Sequence, residues 1–156
     1  SQTIYPYISK LANESKEKSV KVVKKLVKFI GILTFFLSVI LFIFAESIVN
    51  MLLGNQYQES IVILRILSFL PFIIILSNIY AVQGLISLGN SKVIPKIVFS
   101  GALLNIFVLP ILTYFYQGVG TAISWLLTEI FITFLSFKYF KRFYNYDWKD
   151  RNKEVY

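Results

Sequence analysis

Phe29–Ala45 reads FIGILTFFLSVILFIFA, a run with no charged residue after Lys28. A helix rises about 1.5 Å per residue, so about 20 mostly apolar residues cross the roughly 30 Å hydrocarbon core of a bilayer. Counted from Leu26 to Ala45, this run has that length. Three further segments match it: Ile61–Val82, with Arg65 near its start; Pro95–Tyr116, with Pro110 in its outer half, where a kink is expected; and Val119–Phe137, with Glu129 at its middle. The runs are long and unbroken, whereas a membrane β-strand alternates over about ten residues, so all four are read as helices. The expected fold class is all-α: a polytopic membrane helix bundle with four transmembrane helices.

Composition says the same. The chain has 156 residues, 56% of them hydrophobic and 15% charged, where a soluble domain carries about 25% charged residues. Between Phe29 and Phe137 the only charges are Glu46, Glu59, Arg65, Lys92, Lys96 and Glu129, too few to cover a water-facing surface. With neither Cys nor His, disulfides, thiolate or imidazole metal sites, and Cys/His or Ser/His/Asp catalysis have no residues to use. No catalytic residue, metal ligand or cofactor is therefore expected, and the chain is read as a non-enzyme. A membrane glycosyltransferase would want paired carboxylates, and the outer loops offer only Glu46 and Glu59. The net charge of +8 does not point to nucleic acid, because the lysines stand directly before an apolar span, where anionic phospholipid is the natural counter-charge.

Charge also orients the spans, since cytoplasmic loops carry an excess of Lys and Arg. Lys10, Lys16, Lys18, Lys21, Lys24, Lys25 and Lys28 precede the first span, Lys92 and Lys96 join the second to the third, and Lys138, Lys141 and Arg142 follow the fourth. The alternate loops, 46–60 and 117–118, have no Lys or Arg. Both flanks are accordingly expected in the cytoplasm. Residues 1–28 divide into the end of a preceding membrane helix and a basic segment, 29–137 form the four-helix membrane region, and 138–156 a basic, aromatic tail. In the basic segment Val20, Val23 and Val27 share one helical face among lysines, the pattern of an interfacial amphipathic helix. Lys18, Lys21, Lys24, Lys25 and Lys28 are then the membrane-surface residues. The opening SQTIYPYI has no initiator Met and reads as the last turns of a helix leaving the membrane, so the chain is expected to be a fragment.

Three short motifs carry a resemblance. Tyr5, Pro6, Tyr7, Ile8, Ser9, Lys10 and Leu11 close a helix; Gly54, Tyr57 and Ser60 stand at G-x-x-Y-x-x-S spacing in the first outer loop; and Asn78, Gln83, Gly89 and Lys92 mark the exit of the second span. In order and spacing they resemble polysaccharide flippases of the Wzx type, members of the multidrug/oligosaccharidyl-lipid/polysaccharide exporter superfamily, over about 1–143. The resemblance implies a twelve-helix, two-lobe transporter of which these spans are helices nine to twelve. It implies carriage of an undecaprenyl-pyrophosphate-linked oligosaccharide across the bacterial inner membrane by alternating access, for O-antigen or capsule, with a polysaccharide polymerase and chain-length proteins as possible partners. The alternative from another class is a complete small four-helix membrane protein acting as scaffold or accessory to lipid-linked sugar enzymes.

Candidate residues follow from this substrate. Arg65 is the one Arg within a span, and a guanidinium grips phosphate through two parallel hydrogen bonds. The competing reading is a side chain that snorkels outward or sits in a structural ion pair. Glu129, near the bilayer midplane, needs a partner or a proton; it is either a coupling site for a proton or cation or a protonated carboxyl bonded inside the lobe. Arg65 is one conceivable partner, though the two differ by about 9 Å in depth. By resemblance alone, Gln2, Tyr5 and Tyr7 are substrate-contact candidates. Asn78, Gln83, Ser100, Asn105, Thr128 and Thr133 are read chiefly as bonds between helices, and Gly101, Ala102 and Asn105 as a close helix crossing.

Overall fold

The computed structural model describes residues 4–151, and side chains for 6–12, 15 and 17–143. Every regular element among the described residues is helical: α1 Ile4–Glu14, α2 Lys16–Leu52, α3 Gln58–Leu67, α4 Leu70–Asn78, a π-helical turn Ile79–Ile86, a 3₁₀ turn Ser91–Val93, and α5 Ile94–Arg151. Among the described residues three helical stretches, Glu17–Leu52, Gln58–Ile86 and Ser91–Phe143, are long and apolar enough to cross a membrane.

The third stretch is two spans. Gln117, at φ 49° and ψ −125°, breaks α5, and the arms 94–116 and 118–151 fold back on each other. Asn105 Nδ2 donates to Thr128 Oγ1 at 2.8 Å, and the hydroxyls of Thr113 and Thr121 lie 3.0 Å apart. In a straight helix the first pair would stand about 35 Å apart at 1.5 Å per residue. The turn needs no separate loop, because the chain reverses at one residue with positive φ. Counted this way, the spans are four, as expected. Dihedrals stay helical at Pro110, and the break falls at Gln117 instead.

The second span is less regular than its sequence suggests. Pro71 stands in the first turn of α4 and has no N–H to continue the ladder from α3, so the helix breaks at Ser68 and Phe69. Ser68 Oγ donates to the Arg65 carbonyl at 2.7 Å, covering part of the gap. After α4 the chain widens into the π turn and then stops. Gly89 (φ 80°) donates to the Ile86 carbonyl at 2.9 Å and Asn90 to that of Leu85 at 2.8 Å, a Schellman closure.

The basic segment before the first span needs a correction. It is not a separate interfacial helix, because α2 runs unbroken from Lys16 to Leu52, about 55 Å at 1.5 Å per residue. Its valine face is turned to protein: Val20 and Val23 are buried with Ile8, Ile79, Leu85, Ile97 and Phe140, and Val27 packs against that cluster. An apolar stripe at helical spacing fits a protein groove as well as a lipid surface, and here α1, the π turn and both arms of α5 cover it. The cluster also gathers the basic flanks to one end of the molecule, since Lys10, Lys18, Lys21, Lys92, Lys96, Lys138 and Lys141 all stand within a few residues of its members.

Elsewhere the spans present large apolar side chains outward. Phe107 is 65% and Tyr114 82% exposed, surface that suits lipid or further helices and not water. The helix contacts use small residues. Ser38, Ser124 and Ser136 are fully buried, and a Cβ added at Gly101 would sit 2.6 Å from the Ile132 side chain, as close membrane-helix packing requires.

Candidate functional site

Arg65 lies at the end of the bundle opposite the lysines. Its guanidinium is 3.5 Å from the Glu46 carboxylate and 5.9 Å from the centre of the Phe42 ring. The pairing follows from the α2–α3 hairpin. With the turn at Gly54–Tyr57, residues equally far on either side of it come level, and Glu46 and Arg65 are such a pair. Arg65 therefore meets Glu46 and not Glu129. Reflecting the sequence about the outer loop was the signal that identifies Glu46. With side chains 41% and 61% exposed, the pair is worth at most about 1 kcal/mol, and a phosphate offering two acceptor oxygens competes with it readily. Among the described residues Arg65 Nε is buried without an acceptor.

Glu129 stands in the second arm of α5, half-buried, one residue from Thr128. No hydrogen bond or ion pair to it occurs among the described residues. Helical spacing places it on one stripe with Ala122, Trp125, Ser136 and Phe140, of which Ala122, Ser136 and Phe140 are buried and Trp125 is half-exposed. This stripe leads to the buried cluster at the basic end.

Several polar residues bond helices together. Thr128 bonds Asn105 and also donates to the Ser124 carbonyl, and Thr133 donates to the Ile73 carbonyl of α4 at 3.2 Å. Ser100 and Asn78 instead donate to carbonyls of their own helices, Lys96 and Ile74. Gln83 differs from all of these: it is 5% exposed and its Oε1 has no donor among the described residues.

Of the substrate-contact candidates near the N-terminus, Tyr7 is 59% exposed on α1, Gln2 lies outside the described residues, and Tyr5 belongs to α1 with its side chain outside the description. Lys18, Lys21, Lys24, Lys25 and Lys28 are all exposed on α2, with Lys21 paired to Glu17 at 2.9 Å.

Residues 1–62 match the model of a family described as polysaccharide biosynthesis protein; this region contains α1, α2 and the start of α3. The chain is 33% identical over 134 residues to an Escherichia coli (strain K12) protein named "Putative O-antigen transporter", covering 86% of this chain and 32% of that one. The chain is also 31% identical over 145 residues to "Capsular polysaccharide biosynthesis protein CapF" of Staphylococcus aureus, covering 90% of this chain and 35% of that protein. It is 27% identical over 137 residues to a Shigella dysenteriae protein also named "Putative O-antigen transporter", with 88% and 34% covered. It thus spans about a third of the length of the curated relatives it matches. No solved structure matches it.

Proposed function

We propose that this chain is part of a transporter that moves undecaprenyl-pyrophosphate-linked oligosaccharide units from the inner to the outer leaflet of the bacterial cytoplasmic membrane by alternating access, for O-antigen, capsule or a related surface polymer. The observation that carries the reading is the similarity to O-antigen transporters over most of the chain, on a fold that is membrane-spanning by length and composition. Flipping such a substrate requires a shielded route for sugar and diphosphate, while the isoprenoid tail stays in lipid. The relatives are about three times longer, which leaves room for a second lobe against which this one rocks.

In this reading the ends of the bundle have different tasks. The lysines of α2, with Lys92, Lys96, Lys138 and Lys141, face the cytoplasm and hold anionic phospholipid headgroups, at about 1 kcal/mol per basic residue. Arg65, at the outer end, exchanges Glu46 for the diphosphate. Glu129 takes up and releases the coupling proton or cation in the middle of the span, and Gln2, Tyr5 and Tyr7 contact the sugar. Cells depleted of the protein are expected to lose surface polysaccharide and to accumulate the lipid-linked repeat unit on the cytoplasmic side. Normal surface polymer after depletion would contradict the proposal.

Arg65 allows a sharper test. Glu46→Gln removes the weak ion pair but leaves the guanidinium, so export should persist, whereas Arg65→Ala should lower it by about tenfold, the equivalent of one lost interaction of about 1.4 kcal/mol. Arg65→Lys, which keeps the charge without the planar fork, should fall between them. Equal behaviour of Glu46→Gln and Arg65→Ala would make Arg65 a structural partner of Glu46 and nothing more.

A further inference from the structure

Lys28 is the last charge before the apolar run of α2, and no carboxylate among the described residues is placed to meet it. The nearest acids along α2 are Glu17, which pairs with Lys21, and Glu46, about 27 Å farther up the helix at 1.5 Å per residue. The second span, which packs beside α2, has no Asp or Glu from Ser60 to Val82. Directly beyond Lys28 a groove of 330 Å3 opens between α2 and α4. Gly31 and Ile32 of α2 line it together with Phe72 and Leu76 of α4, and Lys28 stands at the end nearer the other lysines. Toward the far end the rings of Phe35 and Phe72, 5.5 Å apart, join the two helices, and Phe36 stands beside them.

Charge and shape together describe the occupant. Apart from Lys28 the lining is apolar, so what enters is a hydrocarbon chain. The mouth holds a cation with no counter-charge from the protein, so the chain carries an anion at that end. Lys24 and Lys25 stand one turn before Lys28 on the same side of α2, which extends the positive potential around the mouth. Lys28 is exposed, and its apolar stem lies along such a wall while the ammonium reaches the headgroup level. From Lys28 to Phe36 the groove runs about 12 Å at 1.5 Å per residue, within the roughly 15 Å that one leaflet contributes to the hydrocarbon core. An acyl chain from the leaflet next to the lysines matches that depth. A long isoprenoid tail would lie outside the groove for most of its length.

We propose that the groove from Lys28 to Phe36 binds one anionic phospholipid, with its phosphate on Lys28 and an acyl chain between α2 and α4. The site rests on the lysines lying at the membrane surface, and not on what is transported. Native mass spectrometry of the complete polypeptide, titrated with phosphatidylglycerol and separately with phosphatidylcholine, measures it. One phosphatidylglycerol should bind several-fold more tightly than those that follow it and than any phosphatidylcholine. Lys28→Gln should weaken this first step about fivefold, the equivalent of about 1 kcal/mol. Lys92→Gln, an equal loss of charge at the same end of the molecule but away from the groove, should change it less than twofold. Ile32→Trp keeps every charge and fills the groove from its exposed wall, so it should weaken the step at least as much as Lys28→Gln, with an unchanged unfolding midpoint. Equal effects of Lys28→Gln and Lys92→Gln would reduce the binding to diffuse charge attraction. Unchanged affinity in Ile32→Trp would put the chain outside the groove, and displacement of phosphatidylglycerol by equimolar undecaprenyl phosphate would give the groove to the transported lipid. Each of these three results overturns the proposal. No transport is measured, so they leave the transport reading untouched.

Discussion

Replacing Gly120 by alanine should unseat the α5 hairpin and lower the amount of folded protein in the membrane more than any other single methyl group added to the chain. A Cβ at Gly120 would overlap the carbonyl of Leu112 on the opposing arm and come within 2.9 Å of the Thr113 nitrogen. Both are backbone atoms of a regular helix and cannot rotate away. Overpacking usually costs about 1 to 3 kcal/mol, and with no side chain to yield the cost should reach or pass the upper figure. Gly101→Ala is the control. It meets only the Ile132 side chain, at 2.6 Å, which can shift, so its effect should be smaller. Gln117→Gly should act in the opposite sense, because φ 49° with ψ −125° is a conformation a side chain resists at a cost of about 1 to 3 kcal/mol. Thermal unfolding in detergent reads all three. A midpoint for Gly120→Ala equal to that of the parent chain would mean that the arms do not meet as closely as described.

Removing the charge of Glu129 is expected to lower export by about tenfold, or about 1.4 kcal/mol, with no loss of protein level. An ionised carboxyl near the bilayer centre costs at least about 2.5 kcal/mol, and Glu129 finds no cation or hydrogen-bond donor among the described residues. Glu129→Gln therefore cannot destabilise by breaking a pair, and a fall in activity at constant level would separate coupling from folding. Glu129→Asp, which keeps the titrating group, should recover part of the export, and the dependence of export on the ion gradient should weaken in the Gln variant alone. Unchanged export in Glu129→Gln would reduce Glu129 to a packing residue of the second arm.

The two variants probe features that the sequence reveals to different degrees. Glu129 stands out in one line of text, because a carboxylate amid apolar residues is expensive wherever the helix is placed. Gly120 does not stand out. One glycine among several in apolar runs has no local mark, and only the return of the chain at Gln117 brings the Leu112 carbonyl against it.

The same division applies to the whole chain. Sequence alone determined the four apolar runs, their helical nature, the gathering of basic residues on alternate loops and the resemblance to a transporter family, because hydropathy, helix length and charge placement are properties of residues taken in order. The polar bridges between Asn105 and Thr128 were also within reach, since a buried amide in lipid must find a partner. Tertiary structure decided what each face touches. The valine stripe of the basic segment has the spacing of a lipid-binding helix, yet α1, the π turn and α5 cover it. The sequence suggests only Glu129 as a partner for Arg65, and the α2–α3 hairpin gives it Glu46 instead. A helical period states which residues face together, but the identity of the surface opposite is set by how distant segments pack, and that is a property of the folded chain.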